Sequence, residues 1–272
     1  MFRVDTKKTS GSAAISIAEL IYHSTARAAR GGHSNAMFGL IMNVAQSAFF
    51  ILALYVTMTL LGMRSALFRG DFVVFLISGI MSYMTYNKTM KSIFGAEGPS
   101  SPMMQHAPMT TAVAIASAAL SSLYLQILSS GVILFVYHIA FVPVEIKDPA
   151  FAFSMILAAW AFGIGTGMVL LSIKPWAPKL APMMMMIVSR INVFASGKMM
   201  VGNALGFVQL KFFDWNPLFH VIDQMRGAIF INYIPRNSSL SYAIWVSIAL
   251  IALGLMGEFF TRKHASSSWS AR

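Results

Sequence analysis

The stretch AMFGLIMNVAQSAFFILALYVTMTLLGM, residues 36–63, contains no charged side chain between Ala36 and Met63. About 20 apolar residues cross the hydrocarbon core of a bilayer as a helix at 1.5 Å per residue, so this run predicts a transmembrane helix with length to spare. Outward from it the pattern repeats. Phe72 to about Ile93, about Thr111 to Phe141, Ala150 to Ile173, Ala181 to about Val201 and Leu240 to Phe259 are further apolar runs, which makes six spans. Composition agrees: the 272 residues are 57% hydrophobic and 11% charged, against about 25% charged in a soluble domain. A soluble globular reading is excluded, and the fold class is an all-α integral membrane protein.

Loop chemistry separates the runs at Arg64 to Asp71, Gly98 to Pro108, Pro143 to Pro149 and Lys174 to Lys179. With the N-terminus inside, cytoplasmic segments carry twelve Lys and Arg and outer segments six, while Arg190 and Lys198 fall within the fifth span. This asymmetry obeys the positive-inside rule and puts both termini in the cytoplasm. The net charge of +11 then reflects inner loops and anionic headgroups rather than a nucleic-acid partner. Residues 1–35 form a cytoplasmic N-terminus, 36–261 the six-span domain and 262–272 a basic cytoplasmic tail. Residues 1–11 are polar and no short apolar core with a cleavage site follows, so a cleaved signal peptide is not expected.

Two segments are of another kind. From Ser12 to Arg30, Ser16, Glu19, His23, Arg27 and Arg30 share one stripe at 100° per residue, opposite Ile17, Ile21, Thr25 and Ala28. That pattern predicts an amphipathic helix lying at the cytoplasmic interface. Residues 204–236 are too short for two spans and too apolar for a plain loop, and Lys211, Asp214 and Asn216-Pro217 break them in the middle. A re-entrant helical hairpin on the outer side fits, because irregular backbone at that depth needs protein or a water-filled cavity around it.

The chain lacks the usual energy sources. None of its nine Asp and Glu falls at the middle of a predicted span, whereas ion-coupled carriers rely on intramembrane carboxylates or histidines. Ser196-Gly197-Lys198 looks like the end of a phosphate loop, but Met199 follows where Ser or Thr is needed and Asn192 stands at the first glycine position. The six histidines show no metal-ligand spacing, there is no cysteine, and the 21 methionines read as adaptable packing. No metal site or cofactor is therefore expected in this chain. An integral-membrane lipid enzyme would need a carboxylate or histidine cluster at the bilayer boundary, and none is apparent.

The stretch from Asp214 to Tyr233, DWNPLFHVIDQMRGAIFINY, resembles the W-N-P-L-x-H … R-x-x-x-F-x-x-Y signature that precedes the last span of type-2 ABC exporter permeases. The capsular-polysaccharide export branch is most similar. Arg190 followed by Ser196-Gly197, the segment FLISGIMSY from Phe75 to Tyr83 and a last span ending in Arg262-Lys263 support the resemblance. It implies a homodimer bound to two copies of a separate ABC ATPase, which holds the ATP and Mg and drives export of a polysaccharide or glycolipid across the bacterial inner membrane. Periplasmic export proteins are further implied partners. Export of O-antigen, another glycolipid or a drug is the alternative within the same family. The family commonly carries an acidic residue and an Ala-Arg pair after a Pro-Val before the third span; here Pro108-Met109 is followed by Thr110-Thr111 and a run of small residues. These four residues are the expected ATPase contact.

An arginine near the middle of a span costs at least about 2.5–3.5 kcal/mol on insertion scales, so Arg190 should face a cavity or a partner. Lys198, eight residues on and about 80° round on a continuing helix, would share that side, and with Ser196 and Gly197 the pair would line a route for an anionic polymer. The alternatives are carbonyl capping or cross-dimer pairing for Arg190 and outward snorkelling for Lys198. Trp215, Asn216, Pro217, Arg226 and Tyr233 make up the expected outer gate, with Asp223 spaced to pair with Arg226. Tyr83, Tyr86, Phe194 and Phe207 could present flat faces to sugar rings, although packing is the commoner use of aromatic residues in spans.

Overall fold

Polar side chains begin helices where the apolar runs begin. Asp71 accepts from the backbone N–H groups of Val73 and Val74 at 2.9 and 3.4 Å, and Asp148 from that of Phe151 at 2.9 Å, with Pro149 in the first turn. Thr110 caps in the same way onto Val113, and Asn216 onto Leu218 ahead of Pro217. Each cap satisfies a donor that the helix leaves open, and proline is at home where no N–H is needed.

The computed structural model describes residues 10–29, 36–62, 70–96 and 110–264. Among the described residues the regular structure is all helical: α1 Ser10–Ala29, α2 Ala36–Leu60, α3 Phe72–Phe94, α4 Thr111–Ala140, α5 Pro149–Ile173, α6 Leu180–Ala195, α7 Phe207–Phe213, α8 Pro217–Ile229 and α9 Leu240–His264. A single 3-10 turn, Gly202–Ala204, lies between α6 and α7. Among the described residues four helices, α2, α4, α5 and α9, are long and apolar enough to cross a membrane. The expected second span, α3, has 23 residues but carries Lys88 and Lys91. The expected fifth is shorter than the apolar run suggested: α6 has 16 residues and stops at Ala195 instead of near Val201. The reason is local, since Gly197 takes φ +63°, a left-handed conformation that ends a helix.

Helix α5 is central, with α3 along one side and α9 along another, while α8 wedges against α3, α5 and α9. α3 is buried along nearly its whole length, from Val74 to Phe94. Small residues let backbones approach: a Cβ on Gly254 of α9 would lie 2.5 Å from the Cβ of Met168 on α5. Gly254→Val is therefore expected to destabilise the chain by about 1–3 kcal/mol through overpacking, read as a lower melting temperature in detergent. α2 is tied on by polar contacts, with Lys88 Nζ donating to Asn43 Oδ1 and Asn43 Nδ2 donating to Leu125 O at 3.1 Å. α1 leans on α4 through half-buried Leu20, Ile21, Ser24 and Thr25, leaving Ile17, Glu19, His23 and Arg27 exposed. The helix exists as expected: of its apolar stripe Ile21 and Thr25 are half-buried and Ile17 and Ala28 exposed, while Glu19, His23 and Arg27 of the polar stripe are exposed.

Candidate functional site

Arg190 lies on the exposed side of α6. Met183, Met186, Ile187, Ile191 and Phe194 are exposed with it, between 44% and 74%, and at 100° per residue they share one face. Among the described residues nothing accepts a hydrogen bond from its guanidinium. The opposite face of α6 carries Ser189 and Asn192, both buried, so an apolar outer face with one cation and a polar inner edge divide the helix.

Beyond Ala195 the chain turns inward. Gly197 has φ +63° with the Phe219 ring packed where a side chain would be. That turn carries Lys198 into the bundle, 3% exposed, with Nζ 3.5 Å from the centre of the Tyr83 ring. The expectation that Arg190 and Lys198 share a side is thus corrected: helical projection fails past the left-handed glycine, and the two cations point apart. Snorkelling of Lys198 is overturned by the same turn. Ser196 is fully buried, and its Oγ has no hydrogen-bond partner among the described residues.

Arg226 of α8 holds this turn. Buried to 1% exposure, it donates to the carbonyls of Gly197 at 3.3 Å, Lys198 at 2.6 Å and Met200, while its guanidinium carbon sits 3.8 Å from the centre of the Phe75 ring. Gly79 makes room, since a Cβ there would meet Lys198 O at 2.9 Å and Arg226 NH2 at 3.1 Å. The expected Asp223–Arg226 pair is corrected as well. Arg226 spends its terminal donors on backbone carbonyls, and Asp223, also fully buried, accepts from the Tyr233 hydroxyl. Spacing of three along a helix allows a pair, but the terminal donors of Arg226 point at the carbonyls of the Gly197 turn.

At the other end of α8, three helices meet in a buried polar chain. Asn216 Nδ2 donates to Asn192 Oδ1 at 3.0 Å, and Asn192 Nδ2 donates to the Tyr86 hydroxyl at 3.1 Å and to Val188 O at 3.0 Å. Beside it Ser189 donates to Asn87 Oδ1 at 2.7 Å, and Tyr86 stacks on Phe162 with ring centres 4.8 Å apart. The sequence reading named Asn216 but missed Asn192, Ser189 and Asn87; the signal available was the presence of amides inside apolar runs, where each must find a partner. Trp215 remains 55% exposed and donates only to Phe212 O, at 2.8 Å. Of the four aromatics, Tyr83 and Tyr86 are buried, whereas Phe194 and Phe207 are 74% and 75% exposed.

The expected ATPase contact divides. Pro108 and Met109 lie outside the described residues. Thr110 is exposed and caps α4. Thr111 is turned inward, 4% exposed, donating to a carboxylate oxygen of Glu258 on α9, so it offers no contact surface; the first residue after the cap happens to face α9. Among the described residues no cluster of His, Asp and Glu could hold a metal ion.

No family model matches the chain. It is similar to the polysialic acid transport protein KpsM of Escherichia coli, with 21% identity over 199 residues covering 72% of this chain and 75% of that protein.

Proposed function

We propose that this chain is the membrane-spanning permease of an ATP-driven ABC exporter that moves an acidic, lipid-linked capsular polysaccharide across the bacterial inner membrane. It works as a homodimer with two copies of a separate ATPase subunit, which binds the ATP and Mg. Similarity to a polysialic acid transport protein and the WNPL block from Trp215 to Leu218 support this reading. In it, α3 and α6 complete six spans with α2, α4, α5 and α9. α1 lies at the cytoplasmic interface, and both termini are cytoplasmic. α7 and α8 form the outer re-entrant hairpin: α8, 13 residues and so about 20 Å long, descends to Asn192 and Tyr86 and gates the outer mouth. The ATPase docks on the inner connection ahead of α4, at Pro108, Met109 and Thr110.

One observation carries the proposal: an arginine with no hydrogen-bond acceptor among the described residues, on an exposed apolar helix face. In lipid, Arg190 costs at least about 2.5–3.5 kcal/mol; facing a second copy across a hydrated route, it costs less and attracts a polyanion. Ser196, Gly197 and Lys198 then form the wall behind the route, with Arg226 and Tyr233 bracing the gate. Because the chain has no cysteine, single-cysteine variants test this directly. Ile187→Cys and Ile191→Cys are expected to give oxidant-dependent dimers in native membranes, whereas Leu255→Cys on exposed α9 should not. Crosslinking through α9 alone would overturn the α6-facing dimer.

A further inference from the structure

At the end of the bundle where α3 and α5 begin, a cavity of about 170 Å³ opens between α3, α4, α5 and α8. Its walls include Val74, Ile77, Leu134, Ala152 and Ile156, and half-exposed Phe153 stands at its edge. The two hydroxyls on its lining are spent within the chain: Ser78 donates to Phe75 O at 2.8 Å and Ser130 to Met81 Sδ at 3.2 Å. Among the described residues the wall therefore offers no free donor to water, and its apolar lining suits a hydrocarbon group better than water. Running from Pro149 to Ile156 along α5, it reaches about 10 Å below the helix start.

A second cavity of about 230 Å³ adjoins it, sharing Val74, Val144 and Ile229. Among the described residues the charged side chains on its lining are Asp71 and Glu145, both acidic. Asp71 is committed to capping α3 and to the Tyr137 hydroxyl at 2.7 Å, while exposed Glu145 makes no hydrogen bond among the described residues. An apolar slot thus leads up to a rim whose described charged side chains are acidic, at the level where α3 and α5 begin.

We propose that the two cavities form one lipid site, which seats an acyl chain of a membrane phospholipid between α4 and α5 and holds a primary-amine head against Glu145 and Asp71. An amine-bearing head matches the rim, whereas an anionic head would meet two carboxylates. The site requires only that the chain spans a membrane, so its failure leaves the export reading untouched. The full chain is reconstituted in nanodiscs of equal phosphatidylethanolamine and phosphatidylglycerol, released, and examined by native mass spectrometry. The wild type is expected to retain one phosphatidylethanolamine in preference to phosphatidylglycerol. Ala152→Phe, which fills the slot, should reduce that retention at least tenfold; Ile156→Phe, deeper and on the same wall, is the second variant should Ala152→Phe fail to fold. Glu145→Gln should keep a bound lipid but lose the head preference. Undiminished retention in a folded slot-filling variant, no retained lipid in the wild type, or a wild-type preference for phosphatidylglycerol would overturn the proposal.

Discussion

Replacing Arg190 with methionine is expected to stop polysaccharide export, by tenfold or more, while the protein still inserts, folds and assembles. Methionine is similar in length but neutral, so it removes the insertion cost of about 2.5–3.5 kcal/mol and leaves the exposed face of α6 wholly apolar. In a symmetric dimer each cation appears twice about the axis, and two guanidinium groups repel across a dry contact. On the proposed reading that repulsion would keep the interface hydrated at Arg190, and the paired charges would raise the local concentration of an acidic polymer. Arg190→Lys should retain partial export because the charge remains. Surface polysaccharide measured at native expression level, beside membrane abundance of the variant, separates the two effects. Normal export by Arg190→Met would remove the arginine from the mechanism.

Arg226→Met should do the opposite. The variant is expected to lose more than about 3 kcal/mol, since the carbonyls of Gly197, Lys198 and Met200 would be left buried without donors at roughly 1–3 kcal/mol each. The readout is accumulation in the membrane and thermal unfolding in detergent, both of which should fall sharply and in step with export. A variant that folds like the wild type yet exports poorly would show that Arg226 acts on the substrate or gate movement rather than on the turn it braces.

The contrast between these arginines shows what was legible in the chain. Helix starts were, because they depend on neighbours in sequence: Asp71, Thr110, Asp148 and Asn216 cap helices at the start of their first turns. Arg190 was expected to face a cavity or a partner because of its cost in lipid, and the fold leaves it on the exposed side of α6. What failed was the extension of local periodicity through a backbone reversal. Lys198 was projected along a helix that Gly197 had already ended, and Arg226 was matched with Asp223 because both lie on one helix, although its acceptors sit 26 to 29 residues away. The Asn192–Asn216–Tyr86 chain was hidden for the same reason. Each amide needs a partner, but only the packing of α3, α6 and α8 determines which one.

The same packing ties down both ends of α8, the helix of the proposed gate. Asn216 at the start of α8 is bonded to Asn192 on α6, and the end of α8 is bonded to the start of α5, where Asp148 N–H donates to Ala228 O at 2.8 Å. His220 of α8 also accepts from Ser239 N–H at 3.1 Å, so movement of α8 would have to release several contacts.

The central claim is that energy for transport comes from a separate ATPase. The chain should be purified alone and together with its ATPase partner, placed in sealed proteoliposomes, and supplied with an acidic polysaccharide on the ATPase side. The account predicts ATP-dependent accumulation of polymer in the lumen only when both subunits are present, and no ATP hydrolysis by the chain alone. Polymer movement by the chain alone, driven by a proton or sodium gradient without ATP, would contradict it.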